Sequence, residues 1–78
     1  MTKIELRKKL HAAGVNPHYY NIEGATILEG YCLTYQSGKW CVFYSERGLE
    51  NNKICFDYEA EACEHLYKTI LNDPLSRS

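Results

Sequence analysis

The 78 residues leave room for one domain, and so short a chain buries only about 60% of the surface its unfolded form exposes, which leaves little volume for an enclosed substrate cavity. With 45% hydrophobic residues, 24% charged residues and two prolines, the composition is that of a folded chain rather than a disordered one. A net charge of −1 lacks the basic footprint that binding to a phosphate backbone needs, and no apolar run approaches the roughly 18 residues of a membrane span.

The first residues, Met1 to Arg7, show no apolar stretch behind Lys3, so a secretory leader is not expected and a cytoplasmic location is. Thr2 followed by Glu5 has the form of a capping box. Leu6, Leu10 and Ala13 then recur at helical spacing, with Gly14 as the stop, Val15 able to fold back and Pro17 blocking any resumption, which predicts a helix over 3–13. Residues 14–30 form a connector in which Tyr19 to Ile22 could make a short edge strand.

Two runs rich in β-branched, aromatic and thiol side chains, 31–35 and 40–44, flank Ser37-Gly38 and predict a hairpin. A two-residue loop would set Tyr35 against Trp40, Leu33 against Val42 and Tyr31 against Tyr44, all on one face, because side chains alternate with period two. That face is the more apolar and should meet the helices, leaving Cys32, Thr34, Cys41 and Phe43 on the other. Ser45 to Lys53 reads as a polar loop rich in turn formers, and 54–56 as a short third strand. Asp57 is placed to cap a second helix over 58–72, with Ala60, Cys63, Leu66, Tyr67, Ile70 and Leu71 as its apolar stripe and Glu61, Glu64, His65 and Lys68 turned to water. Residues 73–78 make a tail. The expected fold is α+β: a single domain with an antiparallel meander of three strands, with room for a fourth, covered on one face by an N-terminal and a C-terminal helix.

Little here suggests catalysis. Cys32, Cys41, Cys55 and Cys63 stand 9, 14 and 8 positions apart with no C-x-x-C, so neither a zinc knuckle nor a disulfide framework is expected, and the thiols read as reduced, small apolar side chains. Two positions apart on a helix, Cys63 and His65 point about 200° away from each other. His11 and His65 fall on expected solvent faces, and His18 lies in a loop. The carboxylates form no pair for a glycosidase and no ligand set for a divalent cation. Neither a metal nor an organic cofactor is called for. Charge is instead segregated: Lys3, Arg7, Lys8 and Lys9 make one end basic, and Asp57, Glu59, Glu61 and Glu64 make a later segment acidic. This is either two solvated helix faces or a surface that steers a charged partner.

The span from Tyr31 to Cys63 carries Gly38-Lys39-Trp40, Val42-Phe43-Tyr44-Ser45-Glu46-Arg47-Gly48 and Glu59-Ala60-Glu61-Ala62-Cys63. In these residues the chain resembles small bacterial immunity proteins of polymorphic-toxin and contact-dependent inhibition systems. Tyr58 departs from the pattern, standing where a small capping residue is expected. The resemblance implies a cytoplasmic antidote, not an enzyme, that binds one cognate toxin domain stoichiometrically, most often a nuclease. From charge and hydropathy, no direct contact with nucleic acid or membrane is expected. A small adaptor that binds another cytosolic bacterial protein is the alternative. Contact residues do not transfer across such proteins, so the candidates come from exposure and residue type: Tyr19 and Tyr20 in the connector, Glu46 and Arg47 in the meander, and Glu61 and Glu64 on the second helix. For Ser45 to Gly48 a plain turn, its Arg paired with a nearby acid, accounts equally well for the residues.

Overall fold

Thr2 and Glu5 satisfy each other as a capping box. The Thr2 hydroxyl accepts from the Glu5 amide at 3.2 Å, and the Glu5 carboxylate accepts from the Thr2 amide at 3.0 Å. In the computed structural model, which describes residues 1–74, helix α1 therefore begins cleanly and runs Lys3–Ala12. Gly14 closes it at φ 78, a left-handed position that suits a residue without Cβ. Its amide donates to the His11 carbonyl and the Val15 amide to that of Leu10, both at 3.0 Å. This Schellman closure folds Val15 under the helix, where it is buried with Leu6 and Leu10.

A 3-10 turn, Pro17–Tyr19, follows and leads into strand β1, Tyr20–Asn21. The main sheet is β2 (Glu29–Gln36), β3 (Lys39–Glu46) and β4 (Leu49–Phe56), in the order β1-β2-β3-β4. The β2–β3 register is the one the hairpin reading predicts, with Tyr31 opposite Tyr44, Leu33 opposite Val42 and Tyr35 opposite Trp40. Ser37 and Gly38 sit at φ 50 and 80, the geometry of a tight I′ turn.

Two expectations about the sheet need correction. The fourth strand exists, but β1 pairs with β2 in parallel, so the sheet is mixed rather than a pure antiparallel meander. Nor is 45–53 a loop. Arg47 and Gly48, at φ 55 and 82, make a second two-residue turn, and the polar run after them is the first part of β4. An edge strand tolerates such polarity because one of its flanks meets water. The strand is irregular all the same: its register with β3 shifts between Val42 and Tyr44, and Asn52 sits at φ 56 within it.

Helix α2, Glu59–Leu71, buries Ala62, Cys63, Leu66 and Ile70 against α1 and the Leu33–Val42 centre of the sheet. Ala60 is exposed, and Ala62 takes its place in the stripe. Asp57 does not cap this helix. Tyr58 is the N-cap, without a side-chain hydrogen bond, and Asp57 pairs with Lys39 across the sheet. The departure noted at Tyr58 is therefore structural: the helix starts one residue later and uncapped.

Of the six residues predicted to form the inner face, Leu33 and Val42 are buried, Tyr31, Trp40 and Tyr44 are half-buried, and Tyr35 is 60% exposed. The opposite face carries no helix, yet Cys32, Cys41 and Phe43 are buried there too. The connector wraps its β2 end: the Leu28 carbonyl accepts from the Gly48 amide at 3.1 Å and from the Ser45 hydroxyl at 3.5 Å. Lys53 crosses from β4 to the Gln36 side-chain oxygen on β2 at 2.7 Å, laying its stem over the strand between. The last correction concerns the thiols. Register sets Cys41 directly opposite Cys55, and the two form a disulfide, while Cys32 and Cys63 remain free and buried. Spacing along the chain could not reveal this, because it depends on where β4 begins. Of the predicted tail, 75–78 lie outside the described residues.

Candidate functional site

The two helices cover β2 and β3 and leave part of β4 open, because a two-helix layer is narrower than the sheet. The result is a groove of about 580 Å³ between α2 and the β3–β4 hairpin. Val42, Ile54 and Leu66 make its apolar floor, and Tyr44, Asn51, His65 and Thr69 its polar walls. His65 was expected in solvent but is half-buried, its ring 5.3 Å from that of Phe56. The Thr69 hydroxyl donates to the His65 carbonyl at 2.8 Å. The side chain of Asn51 donates to the Leu49 carbonyl at 3.1 Å and the Tyr44 carbonyl at 3.4 Å, and so braces the irregular stretch of β4.

One end of the groove is closed by Asp73, just beyond α2. Its Oδ2 accepts from the Tyr19 phenol at 2.8 Å and the Tyr31 phenol at 3.1 Å. The two rings lie 5.7 Å apart, and Tyr44 meets Tyr31 edge-on at 5.0 Å. Burial first, and then the Asp73 carboxylate, push the Tyr31 phenol up to about 12 and raise that of Tyr19 as well. Asp73, the first residue of the tail expected over 73–78, is thus a latch between the end of α2, the connector and the sheet. The same end carries Glu46 on the groove, with Glu29 directly opposite it on β2.

The six residues singled out from sequence are placed unequally. Glu46 lines the groove. Glu61 is exposed one helical turn before His65 and is not itself among the groove's lining residues. Glu64 is exposed and engaged with Lys68 at 3.5 Å. Arg47 is exposed at the tip of its turn and, among the described residues, in no salt bridge, so the plain-turn reading of Ser45 to Gly48 holds for the backbone but not for the ion pair. Tyr19 and Tyr20 are half-buried rather than exposed: Tyr19 is committed to Asp73, and Tyr20 packs on the core. Sequence reasoning missed Glu29, His65 and Asp73. Glu29 falls outside the strand expected over 31–35, because β2 starts two residues earlier, and Asp73 carries no signal because a carboxylate beyond a helix end looks the same whether latched or free.

The remaining chemistry-bearing groups lie away from this groove. Burial, and then Glu59, push the Cys63 thiol up to about 11, and burial also raises that of Cys32, so both are protonated core side chains at neutral pH. A second cavity, about 420 Å³, lies between α1 and the hairpin tip beside Trp40 and Tyr35, with the Lys3 ammonium 5.8 Å above the Trp40 ring. Among the described residues no three His, Cys, Asp or Glu side chains group so as to hold a metal ion, and no helix is long and apolar enough to cross a membrane. Comparison with family models, with curated proteins and with solved structures finds no match for the chain.

Proposed function

We propose that this protein is an antidote: a small immunity protein that binds a cognate bacterial toxin domain, most often a nuclease, and blocks it by stoichiometric occlusion in the cytoplasm. The observation that carries the reading is the form of the groove between α2 and the β3–β4 hairpin. It is an open-sided groove beside a free sheet edge, bordered by tyrosines and carboxylates, the side chains of a recognition surface. Its one imidazole, His65, stacks near Phe56, and the thiols lie in the core or in the disulfide, so recognition accounts for the groove without a nucleophile. The resemblance in Gly38 to Trp40, Ser45 to Gly48 and Glu59 to Cys63 supports the same role. Part of that motif has a structural meaning of its own, since Arg47-Gly48 is the turn that starts β4 and so creates the edge.

Co-expression tests the reading. The protein should restore growth to cells producing the toxin encoded next to its own gene and should co-purify with that toxin. Growth arrest that persists despite folded, abundant protein would remove the proposal.

A further inference from the structure

The free edge of the sheet and the groove beside it differ in kind from a solvated surface. β4 is the terminal strand, so the outward amides and carbonyls of Leu49–Phe56 have no partner strand. Edges left open are usually blunted by bulges and charges. Here the irregularity at Asn52 does so for the first half only. The second half, Lys53 to Phe56, is regular, and its Ile54 lines the groove and remains 44% exposed.

Charge specifies what would lie there. Glu46 faces Glu29 directly across the β2–β3 pair, an opposition of like charges that destabilises a sheet. Asp73 closes the same end, and Glu61 stands on α2 one turn before His65, which lines the groove. Among the described residues, none of Glu29, Glu46 and Glu61 takes part in a salt bridge; the bridges formed are Arg7–Glu23, Lys39–Asp57, Lys53–Glu50 and Lys68–Glu64. A cation entering the groove would relieve the Glu29–Glu46 repulsion, whereas an acidic or neutral segment would leave it in place.

We propose that the β4 edge and its groove dock an extended basic segment of a protein partner, its backbone pairing with Lys53 to Phe56 and its chain running on toward the Leu49 end of β4, where its Arg or Lys side chains enter the groove beside Glu46. An extended strand rises about 3.3 Å per residue and turns every second side chain to the same face, so alternate basic residues would all point into the groove. The proposal rests on the antidote reading only for the identity of the partner; the surface chemistry stands apart from it.

The test uses the full chain, labelled for amide NMR, and three probe peptides: Thr-Arg-Thr-Arg-Thr-Arg, its Thr-Glu counterpart, and the basic peptide N-methylated at alternate residues. The basic peptide should bind saturably, shift the amides of 53–56, Asn51, His65 and Thr69, and weaken as salt rises. Glu46→Lys and Glu61→Lys, both exposed changes compatible with the fold, should each weaken it roughly three- to tenfold. The acidic and N-methylated peptides should bind much less well. No saturable shift, shifts spread over the whole surface, equal binding of the acidic peptide, or equal binding of the N-methylated peptide would each overturn the proposal. Because no toxin enters this experiment, its failure leaves the antidote reading standing, and failed protection in cells leaves the groove chemistry standing.

Discussion

Replacing Asp73 by Ala removes the one oxygen that holds two phenols, those of Tyr19 at 2.8 Å and Tyr31 at 3.1 Å. A hydrogen bond to a charged acceptor contributes about 1.5–3 kcal/mol, so two give roughly 3–6. Asp73 is only half-buried, and water can reach the freed phenols, which brings the expected loss down to about 2–3 kcal/mol. For a domain of this size each kcal/mol moves the melting temperature by about 4–8 °C, so the variant should melt roughly 8–24 °C lower by circular dichroism. Tyr19→Phe and Tyr31→Phe should each cost less, and each should cost almost nothing further once Asp73 is gone. The same latch sets the alkaline limit. A phenol whose folded pKa is raised above its ordinary value of 10.0 contributes stability that is whole below pH 10; for Tyr31 it is lost as pH rises toward about 12. In the Asp73→Ala protein the Tyr31 phenolate should form at lower pH, though burial keeps it above 10, and ultraviolet difference absorbance reads this directly. If the variant melts within about 2 °C of the parent and its tyrosines titrate unchanged, the latch does not exist and the reasoning fails.

Two further outcomes check the fold. Gly30 sits at φ 138, and a Cβ there would lie 2.5 Å from the Tyr19 carbonyl oxygen, so Gly30→Ala should destabilise by roughly 2–4 kcal/mol; urea unfolding would show it, and an unchanged midpoint would place the connector elsewhere. Thiol alkylation of the denatured, unreduced protein should count two free cysteines, Cys32 and Cys63, and reduction should cost about 3 kcal/mol through the 14-residue separation of Cys41 and Cys55, a loss of roughly 12–24 °C; four free thiols before reduction would refute the pairing.

What could be read from the chain was whatever local chemistry decides. The capping box at Thr2 and Glu5, the stop at Gly14 and the I′ turn at Ser37-Gly38 are short-range devices, and each is present as the residues implied. The β2–β3 register followed from that turn alone. Elements decided by tertiary position were not legible. Leu49 to Lys53 is too polar to announce a strand and becomes one because it completes a sheet edge. The Cys41–Cys55 pair depends on that strand. His65 looked solvent-facing because helical periodicity cannot tell water from a groove wall. Of the candidate site, Glu46 and Glu61 were found through charge and exposure, whereas Glu29 and Asp73 needed the fold to bring them to the same end.

The most direct measurement titrates the activity of the cognate toxin, identified by co-purification, against added protein. Binding by occlusion predicts a linear fall to zero with an end point near one antidote per toxin. Replacing His11, His18 and His65 together by Gln should leave that end point in place, since occlusion asks no chemistry of an imidazole, while Glu46→Lys should weaken the complex and steepen its salt dependence. Complete inactivation at a small fraction of an equivalent would mean turnover, and would contradict the account.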